Sequence, residues 1–205
     1  MTSSVSPPSR PTGKGIDPHV PSQPSQDPRE FRLKVEWELL TELVRLNPTR
    51  LSSPARRDTS MSVTLCATPA MSLEYPADRE PLLEHRLLLE FPRFHPAMPM
   101  EAYLSRPIFH PNVHPETGFV CLWERHRTTS TVEHAIHKTV AILGWRLMNK
   151  EALHRMQPEA WQLLDDTAQC ESLRKALCAE PLLGIGHDAG FIIERPSRPR
   201  RSRLS

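Results

Sequence analysis

An α+β domain is what this 205-residue sequence predicts. Three observations carry the prediction. A helical period sets in at Glu30, alternating strand-like runs separated by prolines fill the middle, and helical periodicity returns after residue 130. Elements segregated in this way pack as helices flanking an antiparallel sheet, because each helix stripe and sheet face has to bury its apolar side against another element. The length allows one domain of ordinary size plus tails.

The first helix is read from "EFRLKVEWELLTELVRLNP", where Leu33, Trp37, Leu40 and Val44 follow at steps of four, three and four with charges between them. It ends where Asn47 precedes Pro48, since the residue before proline is pushed out of the helical region. "LSSPARRDTS" then reads as a loop. "MSVTLCA" alternates strictly, with Met61, Val63, Leu65 and Ala67 on one face, as a half-buried strand does. "LEY" before Pro76 reads as a short edge piece. "EHRLLLEF" repeats the alternation through Leu87, Leu89 and Phe91, and "MEAYLS" gives a third short strand. Prolines 76, 81, 92, 96 and 99 fall between these runs and mark the connections of a meander. Ser130 and Glu133 have capping-box spacing ahead of a stripe of Val132, Ile136, Val140, Leu143 and Leu147. Pro158 suits a first helical position, and "EAWQLLDDTAQ" with "CESLRKALCA" continues in helical period. Trp37 and Trp161 fit helix packing, while Trp123 either lines a site or closes a sheet edge.

The ends differ in character. Residues 1–28 are rich in Pro and Ser without an aromatic residue and are expected to form a disordered leader. They lack the apolar run of a secretory signal, and no stretch reaches the roughly 18 apolar residues of a membrane span, so a cytoplasmic protein is expected. Residues 29–180 would be the domain. Residues 181–205 read as a loop with Gly184, Gly186 and Gly190, too sparse for a phosphate cradle, followed by a basic tail with five Arg in its last eleven residues. That tail is either solvated or docks a partner. A net charge of +2 argues against a nucleic-acid footprint. Cys66, Cys121, Cys170 and Cys178 are too scattered for a disulfide framework and are expected as reduced thiols.

The chemistry concentrates in "HPNVHPETGFVCLW", residues 110–123. Three chemistries suit it. His110, His114, Cys121 and His126 offer metal-ligand atoms, although their spacing is poor for zinc, and no metal is expected. Cys121 with a histidine base would suit a cysteine hydrolase, but eight histidines between residues 85 and 154 make that pairing weakly specific. Alternatively, the two His-Pro steps stiffen a loop that holds Asn112 over Cys121, where its amide donates to an oxyanion formed on a thioester carbonyl.

The longer stretch "FPRFHPAMPMEAYLSRPIFHPNVHPETGFVCLW" resembles the core of ubiquitin-conjugating enzymes, in which a run of the form FP..YP..PP.V.F.....HPN......G.VCL leads to the active-site cysteine. His95-Pro96 stands at the family's Tyr-Pro and Met98-Pro99 at its Pro-Pro. His110-Pro111-Asn112 is the intact triplet, and Gly118, Val120, Cys121 and Leu122 follow. The interval from Asn112 to Cys121 is one residue longer than in most eukaryotic members, and "ERHRTTST" after the cysteine is short and basic. In these features the chain is similar to divergent bacterial relatives encoded beside ubiquitin-like proteins, a setting that implies antiviral defence by analogy. The resemblance implies a UBC-like fold with no cofactor. Cys121 would accept the modifier's terminal glycyl group from an activating enzyme and pass it to a target amine. It implies that Asn112 stabilises the oxyanion or braces the loop and that His110 is structural. The first helix, with Arg29, Arg32, Lys34 and Arg45, would meet the activating enzyme, an equally good alternative being a solvated basic face. A non-catalytic binding module of the same fold is the alternative function, with a cysteine hydrolase or a metal-binding domain behind it.

Overall fold

Asp27 opens the first element: its carboxylate accepts the Arg29 N–H at 2.9 Å, and Pro28, which has no N–H to satisfy, takes the first helical position. The structure is a computed structural model that describes residues 27–149, 151 and 155–185. The expected leader and the Arg-rich tail lie outside the described residues, apart from Asp27, Pro28 and residues 181–185. Helix α1 spans Pro28–Leu46 and is closed by Asn47, whose side-chain amide donates to the Leu43 carbonyl. Strands β1 (Leu51–Arg57), β2 (Ser60–Leu65), β5 (His85–Glu90), β6 (Glu101–Leu104) and β7 (Phe119–Val120) form one antiparallel sheet in the order β1-β2-β5-β6-β7. A two-stranded sheet pairs β3 (Ala70–Met71) with β4 (Pro81–Leu82). Helices α2 (Val132–Leu143), α3 (Pro158–Gln162) and α4 (Thr167–Ala176) follow. Among the described residues no helix is long and apolar enough to cross a membrane.

Period two and burial coincide on the sheet. Met61, Val63 and Leu65 of β2 and Leu87 and Leu89 of β5 are all buried, and they join Leu33, Leu40 and Leu43 of α1 and Ala135, Ile136, Val140 and Leu143 of α2 in one core. A second cluster around Trp145 gathers Met71, Phe109, Ala160, Leu173 and Leu177, which ties α3 and α4 to the segment that carries the site.

Five local expectations need correction. "LSSPARR" is strand β1, not a loop. Pro54 is tolerated there because β1 lies at the sheet edge, beside a bulge between Ser52 and Ala55 where Ser53 has φ 50°. "LEY" is a turn, and the short pairing falls just before it at Ala70–Met71. The cap of α2 is Thr131 with His134, not Ser130 with Glu133. Glu133 instead accepts the Ile185 N–H at 2.8 Å. The helix also stops at Gly144, so Leu147 lies beyond it. The last helical stretch is split, because the Asp166 carboxylate caps a new start by accepting the Gln169 N–H at 3.0 Å.

Residues 181–185 pack on the domain. The Leu183 N–H donates to Asn47 Oδ1 at 2.8 Å, and Leu182 is buried in the main core.

Candidate active site

The chain leaves β6 at Leu104, loops through residues 105–118 and returns as β7, which delivers Cys121 at the sheet's end. Every turn of this loop is tied. Phe109 N–H donates to Met71 O at 3.0 Å, Val113 N–H to His110 O at 3.1 Å and Gly118 N–H to His114 O at 3.0 Å. The His114 ring closes the lengthened turn, its Nδ1 accepting the N–H groups of Glu116 and Thr117, each at 3.2 Å. Asn112 and Cys121 keep direct register, with Cys121 N–H donating to Asn112 O at 2.9 Å.

His110 is fully buried and accepts the Asn112 N–H on Nδ1 at 3.1 Å, so its ring anchors the loop from inside. Among the described residues its Nε2 has no partner that meets hydrogen-bond geometry. Burial pushes its pKa down to about 3, with the Leu147 backbone working the other way, and the ring stays neutral at physiological pH. In the unfolded chain an imidazole titrates near ~6.5. Below that pH the unfolded state takes up a proton that the folded ring refuses. Stability is therefore complete above the unfolded pKa and drains as pH falls toward about 3. Between pH 6.5 and 5 the loss from this group is on the order of 2 kcal/mol. His85 and His137, also pushed down by burial, act in the same direction. Urea unfolding from pH 7 to 5 is expected to show a shallower fall in His110→Asn than in wild type; equal slopes would contradict the assignment.

Cys121 is buried, and burial pushes its thiol up. Glu124 and Glu151 add to that, while the Asn149 amide and the Trp123 backbone oppose it. Asn149 brings a polar side chain to the sulfur, with Nδ2 at 3.6 Å from Sγ. Asn112 grips the same residue from behind. Its Nδ2 donates to Asn149 O at 2.8 Å and its Oδ1 accepts the Asn149 N–H at 2.7 Å. Asn112 thus meets Cys121 through its backbone, while its side chain braces the loop after α2.

Trp123 closes the sheet end, its indole N–H donating to Met100 O at 3.0 Å. Lys138 of α2 sits 4.6 Å from the centre of that ring and donates to Leu122 O at 3.2 Å. Burial lowers its pKa, against which Glu124 acts. The site thus carries an amine with reduced preference for its proton beside the cysteine segment.

The basic residues of α1 divide. Arg29 donates to Phe91 O at 3.2 Å, and Arg32 pairs with Glu36 and donates to Ser130 O at 3.2 Å, so both tie the helix to the domain. Lys34 stays exposed beside Glu38. Arg45 pairs with Glu42. The candidate metal ligands do not converge: His126 Nε2 meets Pro96 O at 2.7 Å, and among the described residues no three His, Cys, Asp or Glu side chains group as ligands.

Sequence reasoning missed Asn149, Lys138 and Glu36. Lys138 and Glu36 fall on predicted helices, where their charge reads as a solvated face. Asn149 falls in "WRLMNKE", which has no period to place it.

No family model matches this sequence, and no curated protein does. Among solved structures the chain is similar to Pex4p, a ubiquitin-conjugating enzyme of H. polymorpha solved in complex with the soluble domain of Pex22p. The TM-score is 0.50 at 18% identity, covering 74% of this chain and 97% of that one. It is also similar to human ubiquitin-conjugating enzyme E2 G1, with a TM-score of 0.41 at 24% identity over 54% of this chain and 92% of that one. At such identity the Pex4p likeness is one of fold. The N-terminal helix, the antiparallel sheet and the C-terminal helices thus make an α+β, UBC-like fold.

Proposed function

We propose that the protein is a conjugating enzyme that carries a ubiquitin-like modifier as a thioester on Cys121 and transfers it to a target amine. The observation that carries this reading is the register of the site: Cys121 is bonded through its backbone to the Asn of an intact His-Pro-Asn triplet at 2.9 Å, with an amide donor at its sulfur. In loading, the Cys121 sulfur attacks the thioester carbonyl held on the activating enzyme. A new S–C bond forms, the old one breaks and the activating enzyme's thiol leaves. In discharge, a deprotonated target amine attacks the same carbonyl, a C–N bond forms and Cys121 is released.

The raised thiol pKa suits a carrier. Desolvation penalises only the thiolate, so the free thiol is quiet while the uncharged thioester pays nothing for the same burial. The partners on this reading are an activating enzyme, a ubiquitin-like protein and a protein amine. Lys34 and Arg45 are exposed α1 cations open to the activating enzyme, with Arg29 and Arg32 shaping that face from their internal bonds. The bacterial, antiviral and cytoplasmic setting belongs to the same proposal and rests on the sequence features alone.

Incubation with a candidate activating enzyme, ATP and its ubiquitin-like partner tests the proposal. A thiol-sensitive adduct is expected in wild type and absent in Cys121→Ala. No adduct at all would favour a non-catalytic module of the same fold, and an adduct surviving in Cys121→Ala would remove this cysteine from the mechanism.

A further inference from the structure

Asn149 is buried, and each of its polar groups is assigned by the network around it. Its backbone N–H and C=O are clamped by the Asn112 side chain, at 2.7 and 2.8 Å. Its Oδ1 accepts the Glu151 N–H at 3.2 Å, which identifies the other side-chain atom, at 3.6 Å from Cys121 Sγ, as the amide nitrogen. The same logic orients Asn112: the atom receiving an N–H is its oxygen, so the atom facing Asn149 O is its nitrogen. An amide nitrogen carries two protons. One points at the sulfur, and the carbonyl of a thioester starts one bond from that sulfur.

We infer that Asn149, and not Asn112, is the side-chain donor to the oxyanion that forms on Cys121, while Asn112 is the positioning residue that holds Asn149 there. This assignment rests on the carrier reading. When an amine attacks the thioester carbonyl, the C–N bond forms and the carbonyl oxygen takes the negative charge, which Nδ2 of Asn149 meets. Collapse breaks the C–S bond and returns the electron pair to sulfur, toward which the same amide already donates. The surplus ammonium proton leaves to solvent. A donor held before reaction costs no reorganisation when the charge appears.

The test needs no natural modifier. A synthetic peptide α-thioester ending in glycine is exchanged onto the full chain carrying Cys66→Ser, Cys170→Ser and Cys178→Ser, which leaves Cys121 as the acceptor thiol, and discharge into free lysine is followed by mass spectrometry. Asn149→Asp keeps the shape and the acceptor for Glu151 N–H but cannot donate; Asn149→Ala removes the amide. Each is loaded to completion first, and from the loaded state both are expected to discharge more slowly by roughly a hundredfold to a thousandfold. In Asn149→Ala the pH profile of Cys121 alkylation should also move up, because an amide that favours the thiolate has gone. Asn112→Ala should slow discharge too, and adding it to Asn149→Ala should cost little more, since the two act as one unit.

Discharge at the wild-type rate in both Asn149 variants would overturn the assignment. So would slower discharge with an unmoved alkylation profile, which would mean that the loop merely folds against the cysteine. A wild-type chain that carries the peptide on Cys121 but never passes it to lysine would instead sink the carrier reading, and the assignment with it.

Discussion

Glu36→Ala is expected to destabilise the domain by about 3 kcal/mol, as breaking a buried ion pair from one side does. The Glu36 carboxylate is fully buried under α1, yet it is well served. Oε1 receives Arg32 Nε at 2.8 Å, Oε2 receives the Val132 N–H at 2.7 Å, and His95 Nε2 lies 3.8 Å away. Val132 is the first residue of α2, so this carboxylate supplies both a hydrogen bond and a negative charge to a helix N-terminus, where the backbone N–H groups have no partner within the helix. Removing it leaves that N–H without its acceptor and the Arg32 guanidinium without its counter-charge, with the Ser130 carbonyl still accepting from Arg32. Arg32 keeps some contact with water, which holds the cost to the lower end of the range for buried pairs. Denaturant unfolding measures the loss, and hydrogen exchange at Val132 should rise with it. A change below about 1 kcal/mol would mean that the carboxylate contributes no more than an exposed pair does.

Gly118→Ala is expected to cost at least as much. Gly118 has φ 70°, and a Cβ there would stand 2.0 Å from the Leu104 carbonyl oxygen, a backbone atom that cannot swing aside. The left-handed conformation accounts for ~1–2 kcal/mol and the forced overpacking for ~1–3 kcal/mol more, so roughly 3 kcal/mol or above is expected. Leu104 N–H also donates to Gly118 O at 2.8 Å, so strain at this point loosens the join of β6 to the turn that leads into Cys121. Gly118→Asn separates the two causes. Asparagine tolerates φ above zero but keeps the Cβ, so it should remain almost as damaging as alanine. Full stability in Gly118→Asn would show that the close approach relaxes and that backbone conformation alone governs this turn.

What the sequence could reveal depended on how each residue is held. Helix α1 and strands β2, β5 and β6 were legible because a single face of each is buried and the apolar spacing repeats that face. Strand β1 was hidden because it is an edge: only Leu51 is fully buried, and Pro54 and the serines show no alternation. The α2 cap was one residue off because two hydroxyls, Ser130 and Thr131, compete for the position. Glu133, which would have completed the expected box, is drawn to the Ile185 N–H, a contact 52 residues away.

The site divides in the same way. His110, Asn112 and Cys121 stand in one short stretch whose spacing is recognisable. Asn149 is joined to Asn112 across 37 residues, through a segment without periodicity, by backbone bonds that place no demand on neighbouring side chains. Only the folded chain shows that one asparagine positions another.

On the carrier reading, Cys121 is the thiol that takes the modifier. Cys178 is exposed, Cys66 is half-buried, and Cys121 and Cys170 are buried, so indiscriminate acylation would select Cys178 first. The direct measurement is intact mass followed by peptide mapping after loading through the activating enzyme. A single modifier mass, removed by thiol and located on Cys121, is the predicted result; the same mass on Cys178, Cys66 or Cys170 would contradict the account.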